Sequence, residues 1–151
     1  LQGFAVDYPE GSDVGYRWYE REGKTPLFPF GYGLSYTRFA YSNLTVSTAD
    51  GLSVSVDVTN AGDRAGDEVP QLYVASGDHP RRLAAFARVS LAPGETRRIE
   101  LKAEPRILAE YDTALPGWRI APGDYRIAVA PNATAAGLGA QATLSGSTIE
   151  P

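Results

Sequence analysis

Strict alternation of apolar and polar residues in short segments is the feature that most constrains the fold of this 151-residue chain. Residues 52–58 read LSVSVDV, with four apolar side chains on one face and Ser53, Ser55 and Asp57 on the other. A period of two residues is typical of a β-strand with one buried and one solvated face. Residues 96–102 (TRRIELK) and 124–130 (DYRIAVA) repeat the pattern, each just after a Pro-Gly turn sequence.

Further strands are indicated along most of the chain after residue 40. Residues 69–75 read VPQLYVA, and Pro70 predicts a strand start or an edge because proline has no ladder donor. Residues 44–47, 83–89 and 142–145 supply outer strands, and residues 104–111 are the candidate for a helical turn. About seven short strands separated by turn sequences favour two packed antiparallel sheets. The sequence therefore predicts an all-β fold, an immunoglobulin-like antiparallel β-sandwich of about seven strands.

An irregular, aromatic-rich segment precedes this sandwich. Residues 26–41 read PLFPFGYGLSYTRFAY, with six aromatics, two prolines and two glycines in sixteen positions. Pro26 and Pro29 favour an extended path, and Gly31 and Gly33 permit positive φ or close backbone approach. With rings on both sides of a stiff segment, two surfaces are needed to cover them, and covering several rings contributes on the order of 10 kcal/mol. We therefore expect a wedge between two bodies, of which this chain supplies one.

The motifs on either side of this segment resemble a known family. Residues 8–20 (YPEGSDVGYRWYE) and 26–44 are similar to the C-terminal region of family 3 glycoside hydrolases, the β-glucosidase group. The resemblance continues through VTNAGDRAGDEVPQLYV, through RRLAAFARVSLAPGET and through PGDYRIAVA, and it covers nearly the whole chain. Ala85 departs from the family, which usually has glycine at this position, and the loop at residues 76–82 is short.

This resemblance implies a domain organisation. Residues 1–24 would be the tail of a preceding α/β sandwich domain, residues 25–40 an aromatic connector, and residues 41–151 a fibronectin type III-like β-sandwich. The connector and its surroundings would serve interdomain packing, through the side chains of Tyr16, Trp18, Leu27, Phe28, Phe30, Tyr32, Leu34, Tyr36 and Phe39.

The resemblance also implies an activity for the parent polypeptide, namely hydrolysis of terminal β-D-glycosidic bonds with retention. The aspartate nucleophile and glutamate acid/base of the family lie upstream of the region matched here. No catalytic, substrate-binding or metal-binding residue is therefore assigned, no cofactor is expected, and the chain alone should be inactive. The expected partners are the upstream catalytic domains of the same polypeptide and the parent enzyme's substrate, a β-linked oligosaccharide or glucoside.

Composition argues against other partners. The net charge is −4 with acids and bases interspersed, whereas nucleic acids and anionic membranes attract basic patches. No apolar run approaches the length of a membrane span. The chain has no cysteine, which fits the cytoplasm and also fits many exported bacterial proteins. It opens with LQGFAV and contains no methionine, so we expect a piece of a longer protein.

The polar residues with catalytic potential have simpler structural interpretations. The N-terminal carboxylates, Asp7, Glu10, Asp13, Glu20 and Glu22, are expected to be solvated or turn-forming. Arg17 is predicted to form a structural ion pair. His79, the only histidine, lies in a turn sequence and is expected to face water, and one histidine without cysteine does not make a metal site.

Two alternatives to the enzyme-domain interpretation stay open. Carbohydrate-binding sandwiches use a flat row of exposed rings, and such a row would draw on Trp18, Tyr19, Tyr32, Tyr36 and Trp118. Trp118 is instead expected to close the end of the sandwich. A free-standing adhesion or interaction domain is the third possibility.

Overall fold

The computed structural model describes residues 6–114 and 116–149. Residues 1–5, the start of the predicted N-terminal tail, lie outside the described residues. The two helices are α1 (Tyr16–Arg21) and α2 (Pro105–Leu108). The strands are β1 (Phe39–Ser47), β2 (Ser53–Asn60), β3 (Gly66–Glu68), β4 (Gln71–Ser76), β5 (Arg82–Phe86), β6 (Val89–Leu91), β7 (Thr96–Lys102), β8 (Glu110–Asp112), β9 (Gly117–Ile120), β10 (Gly123–Ala130), β11 (Leu138–Leu144) and β12 (Ser147–Ile149).

Two antiparallel sheets form the sandwich, as the sequence predicts. One has the order β1-β2-β7 and the other the order β11-β10-β4-β5, which gives the seven expected strands. The alternating residues of β2 fill the space between the sheets, where Val54, Val56 and Val58 are almost completely buried. Leu72, Ile127 and Val129 approach them from the opposite sheet. Two sheets packed in this way hide the apolar face of each strand and leave its polar face in water.

Five additional short strands were not predicted. Strands β3 and β6 form a two-stranded sheet, and β12, β9 and β8 form a three-stranded one. The predicted outer strand at residues 83–89 is wrong as a single element. Its residues up to Phe86 form β5, which pairs with β4, whereas Val89 begins β6, which pairs with β3. Local alternation predicts extended backbone but carries no information on which neighbour each stretch pairs with.

The boundaries of the predicted elements differ by a few residues. Strand β1 is longer than residues 44–47 and begins at Phe39, with a bulge between Ser42 and Thr45 where Asn43 has φ 53°. Strand β4 begins directly after Pro70, in agreement with the missing donor of proline. The predicted helical turn is α2, which has Glu104 as its N-cap and Pro105 in its first turn.

Within the part of the chain that the structure describes, no helix has the length and apolar character to cross a bilayer.

Candidate interdomain face

The outer face of the four-stranded sheet is partly covered by the N-terminal segment. All five residues from Gln71 to Ala75 are buried, although a strand of a two-layer sandwich normally has one wet face. Leu72 and Val74 face the main core, whereas Tyr73 belongs to a second cluster with Ala130, Ala133 and the half-buried Tyr16. The unbroken apolar run in the sequence is the signal for burial on both faces.

Tyr16 fixes helix α1 to this sheet. Its ring stacks on Phe30 with centroids 5.2 Å apart and meets Tyr73 edge-on at 6.1 Å. The backbone N–H of Leu83 donates to the Tyr16 hydroxyl oxygen at 2.7 Å. Tyr73 is fully buried, and burial raises the pKa of its hydroxyl, with a further contribution from nearby Tyr16.

A tight turn brings the connector down onto the sheet at Gly31. The Tyr32 N–H donates to the Pro29 carbonyl at 2.9 Å, and Gly31 has φ +82°, the positive φ that the third position of a type II turn requires. A Cβ at Gly31 would lie 2.4 Å from Nε2 of Gln71. Glycine is therefore needed here both for the backbone conformation and for the close approach.

Gln71 is a buried polar residue that lies directly beneath this turn. It is 5% exposed, its Nε2 donates to the Pro131 carbonyl at 2.7 Å, and its Oε1 accepts from the Tyr73 hydroxyl at 2.6 Å. The Ala133 N–H also donates to the Phe30 carbonyl at 2.9 Å, which ties the connector to the loop after β10. The sequence pattern places Gln71 in a strand but does not indicate that it holds the connector.

The far end of the connector is held by Asn60, at the end of β2. Asn60 is completely buried, and its Oδ1 accepts from the Thr37 hydroxyl at 2.6 Å and from the Gly62 N–H at 3.1 Å. Its Nδ2 donates to the carbonyls of Arg64 and Leu91 at 2.7 and 3.0 Å. This side chain thus joins the connector, the turn after β2 and strand β6.

Ion pairs hold helix α1 in place. The Arg81 backbone N–H and Nε donate to the Glu20 carboxylate at 3.1 and 3.3 Å, and Arg81 Nη1 donates to the Ala135 carbonyl at 3.2 Å. Arg17 lies 3.8 Å and Arg21 3.4 Å from the carboxylate oxygens of Asp13. Arg17 is therefore in a structural ion pair, as expected, and two of the N-terminal carboxylates are engaged with arginines.

Much of the apolar surface of the connector is open to water. Six of its apolar side chains are exposed by 47–90%, and they are Leu27, Phe28, Phe30, Tyr32, Leu34 and Tyr36. The four rings among them leave on the order of 500 Å² in water, at about 200 Å² per ring. Of the other three predicted packing residues, Tyr16 lies against the outer face of the sheet, Phe39 packs against the main core, and Trp18 is half-buried beneath the Arg21 guanidinium at 4.4 Å.

The rings proposed for sugar binding do not form one platform. Trp18 and Tyr19 are on α1, Tyr32 and Tyr36 are on the connector, and Trp118 is on β9. No ring–ring contact links any two of these five side chains in residues 6–114 and 116–149. Trp118 is half-buried in the sheet formed by β12, β9 and β8. Its ring meets that of Tyr111 with centroids 5.6 Å apart, and the Arg106 guanidinium lies 4.8 Å from its centroid.

His79 lies at the surface, with a half-exposed side chain whose Nε2 is 3.8 Å from the carboxylate of Glu110. Among the described residues, no group of three or more histidines and carboxylates is arranged to hold a metal ion.

Known proteins share the sequence and architecture of this chain. Residues 68–133 match the family model of the fibronectin type III-like domain. The chain is 47% identical over 137 residues to a β-glucosidase of Rhizobium radiobacter, covering 85% of this chain and 17% of that protein. It is 41% identical to thermostable β-glucosidase B of Acetivibrio thermocellus, covering 82% of this chain and 18% of that protein.

Solved structures agree with these relatives. A GH3 β-glucosidase of Bifidobacterium adolescentis superimposes with a TM-score of 0.87 at 34% identity, over 93% of this chain and 22% of that one. The chain spans less than a fifth of the length of the two curated relatives described above.

Proposed function

Because this chain belongs to the fibronectin type III-like domains found in family 3 glycoside hydrolases, the β-glucosidase group, we propose that it braces the catalytic domains of such an enzyme. In this proposal residues 1–24 end the preceding domain, residues 25–40 are the connector, and residues 41–151 are the bracing sandwich. The parent enzyme hydrolyses terminal β-D-glycosidic bonds of a β-linked oligosaccharide or glucoside, as the names of its relatives suggest.

The observation that carries the bracing role is that the connector is attached to this chain yet leaves much apolar surface uncovered. It is attached by the stack of Phe30 on Tyr16, the close contact of Gly31 with Gln71 and the hydrogen bond of Thr37 with Asn60. Six of its apolar side chains are nevertheless about half or more exposed to water. Exposed apolar surface of this extent is typical of a protein interface. We assign its partner to the body that precedes it in the polypeptide.

The chemistry is assigned to the domains upstream. Retaining hydrolysis needs two carboxylates roughly 5–5.5 Å apart, one to attack the anomeric carbon and one to protonate the leaving oxygen. In this chain the carboxylates beside the connector are used differently. Glu20 forms an ion pair with Arg81 of the sandwich, and Asp13 forms ion pairs with Arg17 and Arg21 of α1. Their role is therefore mechanical.

Turnover of an aryl β-glucoside tests the assignment of activity. The full-length polypeptide should release the phenol and the sugar, whereas the purified 151-residue chain should not. Activity that stays with the isolated chain through repurification would contradict the assignment of chemistry to the upstream domains. An inactive full-length polypeptide would contradict the β-glucosidase assignment itself.

A further inference from the structure

We propose that Phe86, on the edge strand β5, is a second docking point for the preceding body, separate in sequence from the connector. The inference rests on the proposed bracing function and extends its interface onto the sandwich itself. In the sequence, Phe86 is notable only as part of a family motif. The direction of its side chain, its exposure and its neighbours indicate the docking role.

The register of β5 places Phe86 on the outer face of the four-stranded sheet. Tyr73 pairs with Leu83, and Gln71 pairs with Phe86, with a register break between Leu72 and Tyr73. Residues directly opposite in an antiparallel pair share a face. Gln71 and Tyr73 face outward, since both contact elements of the N-terminal segment. The break leaves Ala84 and Ala85 against the main core and directs Phe86 outward.

The two outward residues of β5 have different environments. Leu83 is half-buried in the cluster that contains Tyr16, whereas Phe86 is 66% exposed and belongs to neither apolar cluster. At about 200 Å² per ring, Phe86 leaves roughly 130 Å² in water. A ring so exposed beside the covered part of the sheet face is unfavourable in water, unless another surface covers it in the working protein.

Phe86 continues the exposed apolar surface of the connector. Gln71 lies between them, because it pairs with Phe86 on one side and lies under Gly31 on the other. Together the five rings expose on the order of 650 Å² of aromatic surface. Beyond Phe86 the surface becomes polar, with an ion pair between Arg88 and Asp67. An apolar centre with a polar rim is the usual anatomy of an interface.

The occupant follows from the position of this surface. The connector enters it from the N-terminal side, and more than three quarters of the length of the known relatives lies outside the region matched here. We therefore assign the cover of Phe86 to an apolar surface of the preceding body, the same body that covers Phe28. If a partner from another polypeptide covered Phe86 instead, position 86 would be accessible to solvent in the purified full-length monomer.

Thiol labelling of the full-length polypeptide tests this assignment, with any cysteine of the upstream domains first replaced by serine; residues 1–151 contain none. The variants are Phe86→Cys, Phe28→Cys and, as a control, Glu100→Cys on the exposed outer face of β7. For each variant, the rate at which the introduced cysteine reacts with a maleimide in the native protein is divided by its rate in denaturing urea. Phe86→Cys and Phe28→Cys should be protected at least about tenfold more than Glu100→Cys.

The outcomes separate this inference from the proposed function. Protection of Phe28→Cys with free labelling of Phe86→Cys would overturn the inference and leave the bracing function standing. Free labelling of both would overturn both. Hydroxyl-radical oxidation of the unsubstituted full-length protein provides a second measurement without any variant. Phe86 should be oxidised much more slowly in the native protein than in urea, and equal rates would overturn the inference.

Discussion

Replacing Phe28 by alanine measures whether the open side of the connector is covered in the full-length protein. Phe28 is 69% exposed in this chain, and its ring contact is with Tyr32, at 5.6 Å between centroids. The sandwich itself therefore contributes little to its burial. We expect the variant to lose far more stability in the full-length polypeptide than in the isolated chain.

The size of the difference follows from the exposed area. Of about 200 Å² for the ring, roughly 60 Å² is already buried and roughly 140 Å² is in water. At about 25 cal/mol per Å², the buried part corresponds to about 1.5 kcal/mol and the exposed part to about 3.5 kcal/mol. The alanine variant should therefore lose about 1.5 kcal/mol in the isolated chain and about 3.5 kcal/mol more in the full-length protein.

Calorimetry of both proteins provides the measurement. An additional loss of about 3.5 kcal/mol corresponds to on the order of 7–14 °C in the unfolding midpoint of a domain of this size. Val56→Ala is the control, since Val56 is completely buried between the two sheets and should lose about 2 kcal/mol in both proteins. Equal shifts for Phe28→Ala in the two proteins, or an unchanged midpoint in the full-length one, would refute the wedge.

Three further predictions concern the attachment of the connector. Gly31→Ala should lower the free energy of unfolding in urea by about 2 kcal/mol or more, because φ +82° is strained for alanine and its Cβ would collide with Gln71. A variant as stable as the wild type would disprove the close approach. Asn60→Ala should cost about 2–4 kcal/mol in the same assay, since it removes the donor to the buried Leu91 carbonyl and to the partly buried Arg64 carbonyl. A loss below about 0.5 kcal/mol would contradict its joining role. Unfolding free energy should fall as pH rises above about 10, because burial raises the pKa of Tyr73 in the folded state and the unfolded chain ionises first. Tyr73→Phe should make this decline shallower. It should not abolish the decline, since burial and Glu68 also raise the pKa of Tyr41. An unchanged dependence of unfolding free energy on pH would show that Tyr73 is not the group responsible.

The strands of the sandwich were predictable because their signal is local. The alternation of residues 52–58 follows from the geometry of one strand, in which successive side chains point to opposite faces. The structure confirms it, with every second residue of β2 buried from Val54 to Asn60. Turn sequences with glycine and proline separated the strands for the same local reason. Periodicity and turn chemistry thus sufficed for a seven-stranded sandwich.

The contacts that position the candidate interface could not be predicted, because they join residues distant in sequence. Tyr16 meets Tyr73 and Leu83, and Thr37 meets Asn60, across separations that no periodic pattern records. The register break in β5 is another such feature, since it alone directs Phe86 outward.

The amino-acid sequence by itself determined that this chain forms a β-sandwich preceded by a stiff, ring-rich connector. Only the tertiary structure decided which rings rest on the sandwich and which remain available to a neighbour. The physical reason is that a side chain's burial depends on the surface opposite it, and that surface comes from strands far along the chain.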